Sequence, residues 1–164
     1  MQGLTRSTLL SICTSFKYDN KNNNNNNNKE PIGLSRSDGK RPDGAILVHW
    51  SRGKPLAWDV TVPDTYAASH IQATAISAGA AAEKASDNKR VKYNDLATNN
   101  IFVPIAVETI SAWCSQSAQF IEDLGRGITA VTNEPLETTY LYHRLPVSLQ
   151  RGNAVASNNT FPET

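Results

Sequence analysis

The sequence predicts an α/β domain in which a small mixed β-sheet is flanked by helices. Two short apolar segments, residues 45–50 and 56–62, are joined by a turn-like sequence and indicate an antiparallel hairpin. An alanine-rich segment of strong helical propensity follows, and then an apolar strand and an amphipathic helix. The order hairpin, helix, strand, helix, helix is that of a small α/β domain with a mixed sheet.

The first three elements follow from local patterns. Residues 51–54 (SRGK) are typical of a hairpin turn, and residues 71–94 predict one helix. Residues 101–107 (IFVPIAV) are apolar on both faces, as expected of a central strand covered on both sides. Pro104 argues against complete ladder pairing of that strand.

Two further helices are predicted after this strand. Residues 111–131 repeat apolar side chains at helical spacing, while charged side chains occupy the opposite face. Residues 136–154 predict a last helix, which we expect to be interrupted at Pro146.

The composition divides the chain into one domain and two tails. Residues 1–29 include an unbroken asparagine tract at positions 22–28, which has no apolar periodicity and predicts disorder. Residues 30–154 form the expected domain, and residues 155–164 are expected to be a disordered tail. Hydrophobic residues make up 39% of the chain, which is enough for one modest core.

Charge and cysteine usage exclude several classes of protein. The 16 basic and 15 acidic residues give a net charge of +1, so any affinity for nucleic acid has to come from a local patch. Cys13 and Cys114 match no zinc-ligand spacing, and Cys114 is expected to be buried. No apolar run approaches the roughly 18 residues of a membrane span, and no signal-peptide cleavage site is evident. We therefore expect an intracellular protein of the nucleus or cytoplasm, without a membrane partner or a small-molecule cofactor.

Two carboxylates stand where an apolar sheet would not place them. Asp43 begins the first strand in the sequence RPDG, and Asp59 lies in the middle of the second strand between Trp58 and Val60. A carboxylate inside an apolar strand is costly to bury unless it is paired or binds a metal. If the hairpin pairs through its turn, the two carboxylates can converge, although the sequence does not fix the register. Asp43 is alternatively a turn residue, and Glu30 is either a further acidic ligand or a solvated side chain.

Two lysines lie on the apolar stripe of the alanine-rich helix. At about 100° per residue, Lys89 and Lys92 fall near the stripe that contains Ala82 and Ala85. Their ammonium groups either snorkel to solvent or are delivered to a carboxylate site, where one of them would orient a water molecule. Two carboxylates and a lysine suit phosphodiester hydrolysis assisted by Mg²⁺ or Mn²⁺, which take oxygen ligands. The spacing does not choose between the two lysines.

Several motifs resemble the restriction-like endonuclease of site-specific non-LTR retrotransposons. They are RPDG at 41–44, WDVT at 58–61 and KRVKY at 89–93. The resemblance implies a restriction-endonuclease-like fold of the PD-(D/E)xK type. It also implies that the lysine usual after the second acid, here replaced by Thr61, has moved to the following helix as Lys-x-x-Lys-Tyr. Asp43, Asp59, Lys89 and Lys92 would then be catalytic.

A longer resemblance covers residues 30–153, about three-quarters of the chain. It is carried by EPIGLSRSDGKRPDG, GKPLAWDVTVPDT, VPIAVET, LGRGITAVTNEP and SLQRGNA. In this order the segments resemble the C-terminal tail of reverse-transcriptase polyproteins of invertebrate retrotransposons. The resemblance implies a truncated copy of a Mg²⁺-dependent nuclease that nicks target DNA for target-primed reverse transcription.

A second interpretation is a non-catalytic relic, or a remnant that binds nucleic acid or a partner. The asparagine tract replaces the first helix of the family, Ser111 stands where a glycine is usual, and Pro146 lies where a helix-compatible residue is preferred. These departures leave activity open.

Overall fold

The structure, a computed structural model, describes residues 41–158. The predicted disordered segment 1–29, Glu30, Cys13 and residues 159–164 lie outside the described residues. The described chain contains three strands, four α-helices and one 3₁₀ helix, in the following order: β1 Gly44–Ser51, β2 Lys54–Thr61, α1 Ile71–Ile76, α2 Ala80–Lys92, the 3₁₀ helix Leu96–Thr98, β3 Ile101–Ala106, α3 Ser115–Thr132 and α4 Glu137–Asn158.

The three strands form one mixed sheet in the order β1-β2-β3. β1 and β2 are antiparallel, with Gly44 opposite Trp58. β2 and β3 are parallel, with Asp59 opposite Pro104. The predicted α/β class with a small mixed sheet is therefore confirmed.

The position predicted for β3 is wrong. Within residues 41–158, β2 is the central strand and β3 lies at an edge. The apolar character of β3 comes from cover by helices rather than from strands on both sides, since Val103 to Ala106 are buried. An edge strand tolerates Pro104, because the missing N–H can face away from the neighbouring strand.

The outer edge of β3 is covered by the start of α3. The Ser117 hydroxyl accepts a hydrogen bond from the Ala106 N–H at 2.8 Å and donates to the Pro104 carbonyl at 3.2 Å. The Cys114 N–H donates to the Ala106 carbonyl at 3.2 Å. Cys114 is fully buried, as expected from the sequence. Backbone groups that would otherwise lack partners at this edge are thus satisfied from within the chain.

The turn between β1 and β2 has the expected position. Arg52 and Gly53 both have positive φ, at 49° and 73°. Two positive φ values match a two-residue primed turn, whose twist fits an antiparallel hairpin.

The alanine-rich segment is two helices rather than the single helix predicted for residues 71–94. α1 ends at Ile76, and Gly79 caps α2 with a φ of 87°. A side chain at Gly79 would also lie 2.8 Å from the Trp113 carbonyl oxygen. Glycine suits this break, because the left-handed conformation disfavours a side chain and the close approach leaves no room for a Cβ.

Helices cover both faces of the sheet. On one face, apolar side chains of β2 and β3 pack against the apolar stripe of α3 and against two leucines of α4. The strand residues are Leu56, Trp58, Val103 and Ile105, and the helix residues are Phe120, Ile121, Leu124, Ile128, Leu141 and Leu145. On the opposite face Ala106 packs with Ala82 of α2 and with Cys114. The alternation along β3 explains the division, since successive side chains point to opposite faces.

The last two helices form a close pair. α3 begins at Ser115 rather than near residue 111, because Ser111 has a φ of 72° and cannot belong to a right-handed helix. α4 continues through Pro146 to Asn158, so the predicted interruption and the predicted end at residue 154 are wrong. Gly125 of α3 lies against Thr138 of α4 so closely that a Cβ there would be 2.7 Å from the Thr138 Cα. Among residues 41–158, no helix has both the length and the apolar character of a membrane span.

Candidate active site

Asp59 is a buried carboxylate in the central strand. It is 3% exposed, and strand alternation places it on the face opposite Trp58. α2 lies on that face and brings two polar groups to the carboxylate. The Tyr93 hydroxyl is 3.2 Å from Oδ1, and the Lys89 ammonium forms an ion pair with Oδ2. The charge predicted from the sequence to need a partner therefore has one.

Lys89 and Tyr93 reach Asp59 together because they are one helical turn apart. Side chains at positions i and i+4 lie on the same face of a helix. The Lys89 side chain is 24% exposed, so its ammonium stands between the buried carboxylate and solvent. Tyr93 is fully buried, and its ring packs on Phe102 with 4.9 Å between centroids.

The Tyr93 hydroxyl also joins the start of the hairpin to this group. It lies 2.7 Å from the Arg41 carbonyl oxygen as well as 3.2 Å from Asp59. A phenol has one O–H proton, so the two acceptors share a single donor. The chain entering β1 is thereby fixed beside Asp59.

Asp43 lies next to Asp59 across the hairpin. The register in which Gly44 faces Trp58, continued by one residue, places Asp43 opposite Asp59. Asp43 Oδ2 accepts a hydrogen bond from the Val60 N–H at 2.6 Å, and its side chain is exposed. Asp43, which immediately precedes β1, is thus opposite Asp59 of β2, and one of the two residues is exposed while the other is buried.

The two lysines have different surroundings. Lys89 pairs with Asp59, whereas the Lys92 ammonium lies 4.5 Å from the centroid of the Tyr93 ring. A cation over the face of an aromatic ring is attracted by its quadrupole. The structure therefore places Lys89, and not Lys92, on the buried carboxylate.

Carboxylate oxygens such as those of Asp43 and Asp59 are the kind of ligand that a hard divalent cation takes. Within the described part of the chain, Asp59 Oδ2 has the Lys89 ammonium beside it but accepts no hydrogen bond of normal geometry. No group of three His, Cys, Asp or Glu side chains comes together among residues 41–158. Mg²⁺ is often held by one or two carboxylates while water and phosphate oxygens fill the other positions. Two facing carboxylates suit that mode, and Glu30 lies outside the described residues.

Glu108 is a buried carboxylate whose role is not evident from the sequence. The sequence shows only a carboxylate that follows a strand. In the structure its side chain is fully buried and accepts hydrogen bonds from the Ala81 N–H at 2.9 Å and the Thr65 hydroxyl at 3.2 Å. Glu108 therefore caps the N-terminus of α2, the helix that carries Lys89.

No protein-family model, curated protein or solved structure matches this chain. The functional interpretation therefore depends on the motifs in the sequence and on the geometry of these side chains.

Proposed function

We propose that residues 41–158 contain the catalytic part of a metal-dependent DNA endonuclease domain of retrotransposon origin, with a restriction-endonuclease-like fold. In the proposed reaction the domain nicks target DNA, and the new 3′ end primes reverse transcription. The resemblance of the motifs supports the substrate and the biological setting. The mixed sheet with helices on both faces is compatible with the proposed fold.

The observation that carries the proposal is the pairing of Asp59 with Lys89. A buried ion pair adds little stability compared with apolar side chains of similar volume, because two charges must leave water. The pair joins α2 to the central strand at the end of the hairpin, where Asp43 lies opposite Asp59. This placement therefore favours a functional interpretation.

Each side chain has a definite role in the proposed site. Asp43 and Asp59 hold Mg²⁺ or Mn²⁺ through carboxylate oxygens. When bound, the cation polarises the phosphate and lowers the pKa of a coordinated water. Lys89 balances the negative charge of the carboxylates and of the incoming phosphate, and it orients the attacking water. Tyr93 fixes the orientation of Asp59, and Lys92 is the second cation that can approach the DNA backbone.

A plasmid-nicking assay on the full chain tests the proposal. Nicking of supercoiled DNA should require Mg²⁺ or Mn²⁺. Asp59→Asn, Asp43→Asn and Lys89→Met should each lower the rate by about 100-fold or more, which corresponds to ~2.7 kcal/mol of transition-state stabilisation. Asp87→Asn is the matched control, since Asp87 lies on α2 and is 62% exposed. Cleavage by Asp59→Asn at the wild-type rate would exclude the assignment.

Metal binding is tested separately by calorimetry. Titration of Mn²⁺ into the wild-type chain should show saturable binding that Asp59→Ala abolishes and Asp87→Asn preserves. Heat that is identical in the wild type and Asp59→Ala would show that Asp59 does not hold a metal.

A second candidate function is nucleic-acid or partner binding without chemistry. The ion pair is also compatible with this function, since Lys89 already neutralises Asp59 without a metal. A chain that binds DNA but leaves it intact with either cation, and whose affinity is unchanged in Asp59→Asn, would support this alternative.

A further inference from the structure

We propose that Glu108 is a positioning residue that sets the placement of α2, so that Lys89 reaches Asp59. Its side chain is fully buried, and its hydrogen bonds go to Thr65 and Ala81 rather than to either of those two residues. Burial of a carboxylate is unfavourable unless hydrogen bonds compensate for the lost water. Both oxygens of Glu108 are compensated, and each contact fixes a different segment of the chain.

The first contact replaces a cap that α2 lacks. The N-cap residue is Gly79, which has no side chain to accept a hydrogen bond from the first turn. Glu108 Oε1 accepts from the Ala81 N–H at 2.9 Å, although the two residues are 27 positions apart. A carboxylate at this end of a helix also interacts favourably with the helix dipole. The N-terminus of α2 is therefore held by the segment that follows β3.

The second contact fixes Glu108 itself. Oε2 accepts from the Thr65 hydroxyl at 3.2 Å, and the Thr65 N–H donates to the Thr109 hydroxyl at 3.2 Å. The Thr109 carbonyl accepts from Gln150 Nε2 at 2.8 Å and from Asn153 Nδ2 at 3.0 Å. These contacts connect the segments that follow β2 and β3 to α4. The Glu108 side chain is therefore held in place where it bonds the N-terminus of α2.

The distance along α2 explains how a cap can affect the candidate site. Ala81 and Lys89 belong to one uninterrupted helix. At 1.5 Å per residue, the eight steps between them span about 12 Å, so a shift at one end is carried to the other. Lys89 must meet a buried carboxylate that has no freedom to follow it. Loss of the Glu108 contact should therefore loosen the ion pair.

Chemical labelling of lysines tests this geometry without any nuclease assay. The full chain is treated with an amine acylating reagent, and modification of each lysine is measured by mass spectrometry. In Glu108→Ala, acylation of Lys89 should rise by roughly tenfold, which corresponds to ~1.4 kcal/mol of lost protection. Exposed Lys84 on the same helix should not change.

Two variants separate positioning from general damage. Glu108→Gln should label like the wild type, because its amide oxygen still accepts from Ala81 while its amide N–H donates to the Thr65 hydroxyl. Glu134→Ala is the matched control, since Glu134 Oε1 accepts from the Leu136 N–H at 3.0 Å just before α4 and has no part in α2. Glu134→Ala should leave Lys89 protected. Equal exposure of Lys89 in Glu134→Ala and Glu108→Ala would overturn the proposal.

If Glu108→Ala does not fold, Thr65→Val provides the same test more gently. It removes one hydrogen bond to Glu108, and Lys89 acylation should rise about threefold, as expected for the loss of one hydrogen bond. Unchanged Lys89 acylation in a folded Glu108→Ala or Thr65→Val chain would refute the inference.

The catalytic consequence rests on the proposed function and has its own measurement. In Glu108→Ala, kcat for nicking should fall by about tenfold at unchanged KM, and Glu108→Gln should restore it. A wild-type chain that does not nick DNA would contradict the endonuclease proposal, while the labelling result would still decide the role of Glu108.

Discussion

Replacement of Lys89 by methionine should destabilise the protein far more than a surface substitution does. Methionine keeps an unbranched side chain but removes the ammonium. Among residues 41–158, Asp59 at 3% exposure would then have only the Tyr93 hydroxyl beside Oδ1. Loss of one partner of a buried ion pair costs about 3–5 kcal/mol. The Lys89 side chain is 24% exposed, so solvent already screens part of the interaction. We therefore expect a loss of about 2–3 kcal/mol in the free energy of unfolding.

The double variant Asp59→Asn with Lys89→Met should recover much of this loss. Asparagine carries no charge, and its amide oxygen can accept a hydrogen bond from the Tyr93 hydroxyl. Its total cost should be only about 1 kcal/mol relative to the wild type, as for the loss of an ordinary buried polar contact. Partial restoration of stability by a second substitution would show that an unpaired charge caused the first loss.

Urea unfolding followed by circular dichroism measures both variants, with an unchanged slope as the test of a two-state transition. Lys84→Met is the matched control, because Lys84 is exposed on the same helix, and it should stay within about 0.5 kcal/mol of the wild type. A change of less than about 0.5 kcal/mol in the free energy of unfolding of Lys89→Met would refute the role of the ion pair. A double variant as unstable as Lys89→Met would also refute it.

Three further predictions follow from packing, hydrogen bonding and pH. Gly125→Ala should lower the free energy of unfolding by about 1–3 kcal/mol, measured by heat or urea, because its Cβ would lie 2.7 Å from the Thr138 Cα. Gly152→Ala has nothing within 4 Å of its Cβ and should stabilise α4 by about 0.5–1 kcal/mol. A stabilising Gly125→Ala would contradict the close helix pair. Tyr93→Phe should cost about 1–2 kcal/mol, since it removes a buried hydroxyl between two acceptors, and an unchanged urea midpoint would argue against both contacts. Burial, with a smaller effect of Glu122, raises the pKa of Tyr142 above its ordinary value of 10.0. The neutral phenol therefore stabilises the fold below that pH, and the advantage of the wild type over Tyr142→Phe in urea should shrink as the pH rises from about 9 to about 11. A constant difference across that range would count against the burial.

The sequence was sufficient for the elements whose patterns are local. The hairpin was predicted from two apolar runs around a turn, and α3 from apolar side chains at helical spacing. The break between α1 and α2 was missed because alanine propensity outweighed Gly79, whose φ of 87° ends the run. Pro146 does not interrupt α4, because burial of Leu141 and Leu145 against α3 holds the helix together on that face.

The sequence singles out two side chains that the structure joins in an ion pair. Asp59 and Lys89 are each a charge at a position where the element is otherwise apolar. The choice between Lys89 and Lys92 was beyond the sequence. The two side chains are only about 60° apart on the helix, and the placement of α2 on the sheet decides which one meets the carboxylate. The contact of Glu108 with Ala81 crosses 27 positions, and no local pattern encodes it.

The closed edge of β3 limits how this sheet can grow. An exposed sheet edge is a template for strands from other molecules, and so for domain swapping or fibrous aggregation. At β3, Pro104 offers no N–H, while Ser117 and Cys114 bond the groups around it. Within the described residues, β1 has a neighbour only on the side of β2. The Pro104–Ala106 end of β3 is thereby closed to an additional strand, from this polypeptide or from another copy, whereas β1 has its outer edge beside the end of the hairpin where Asp43 lies.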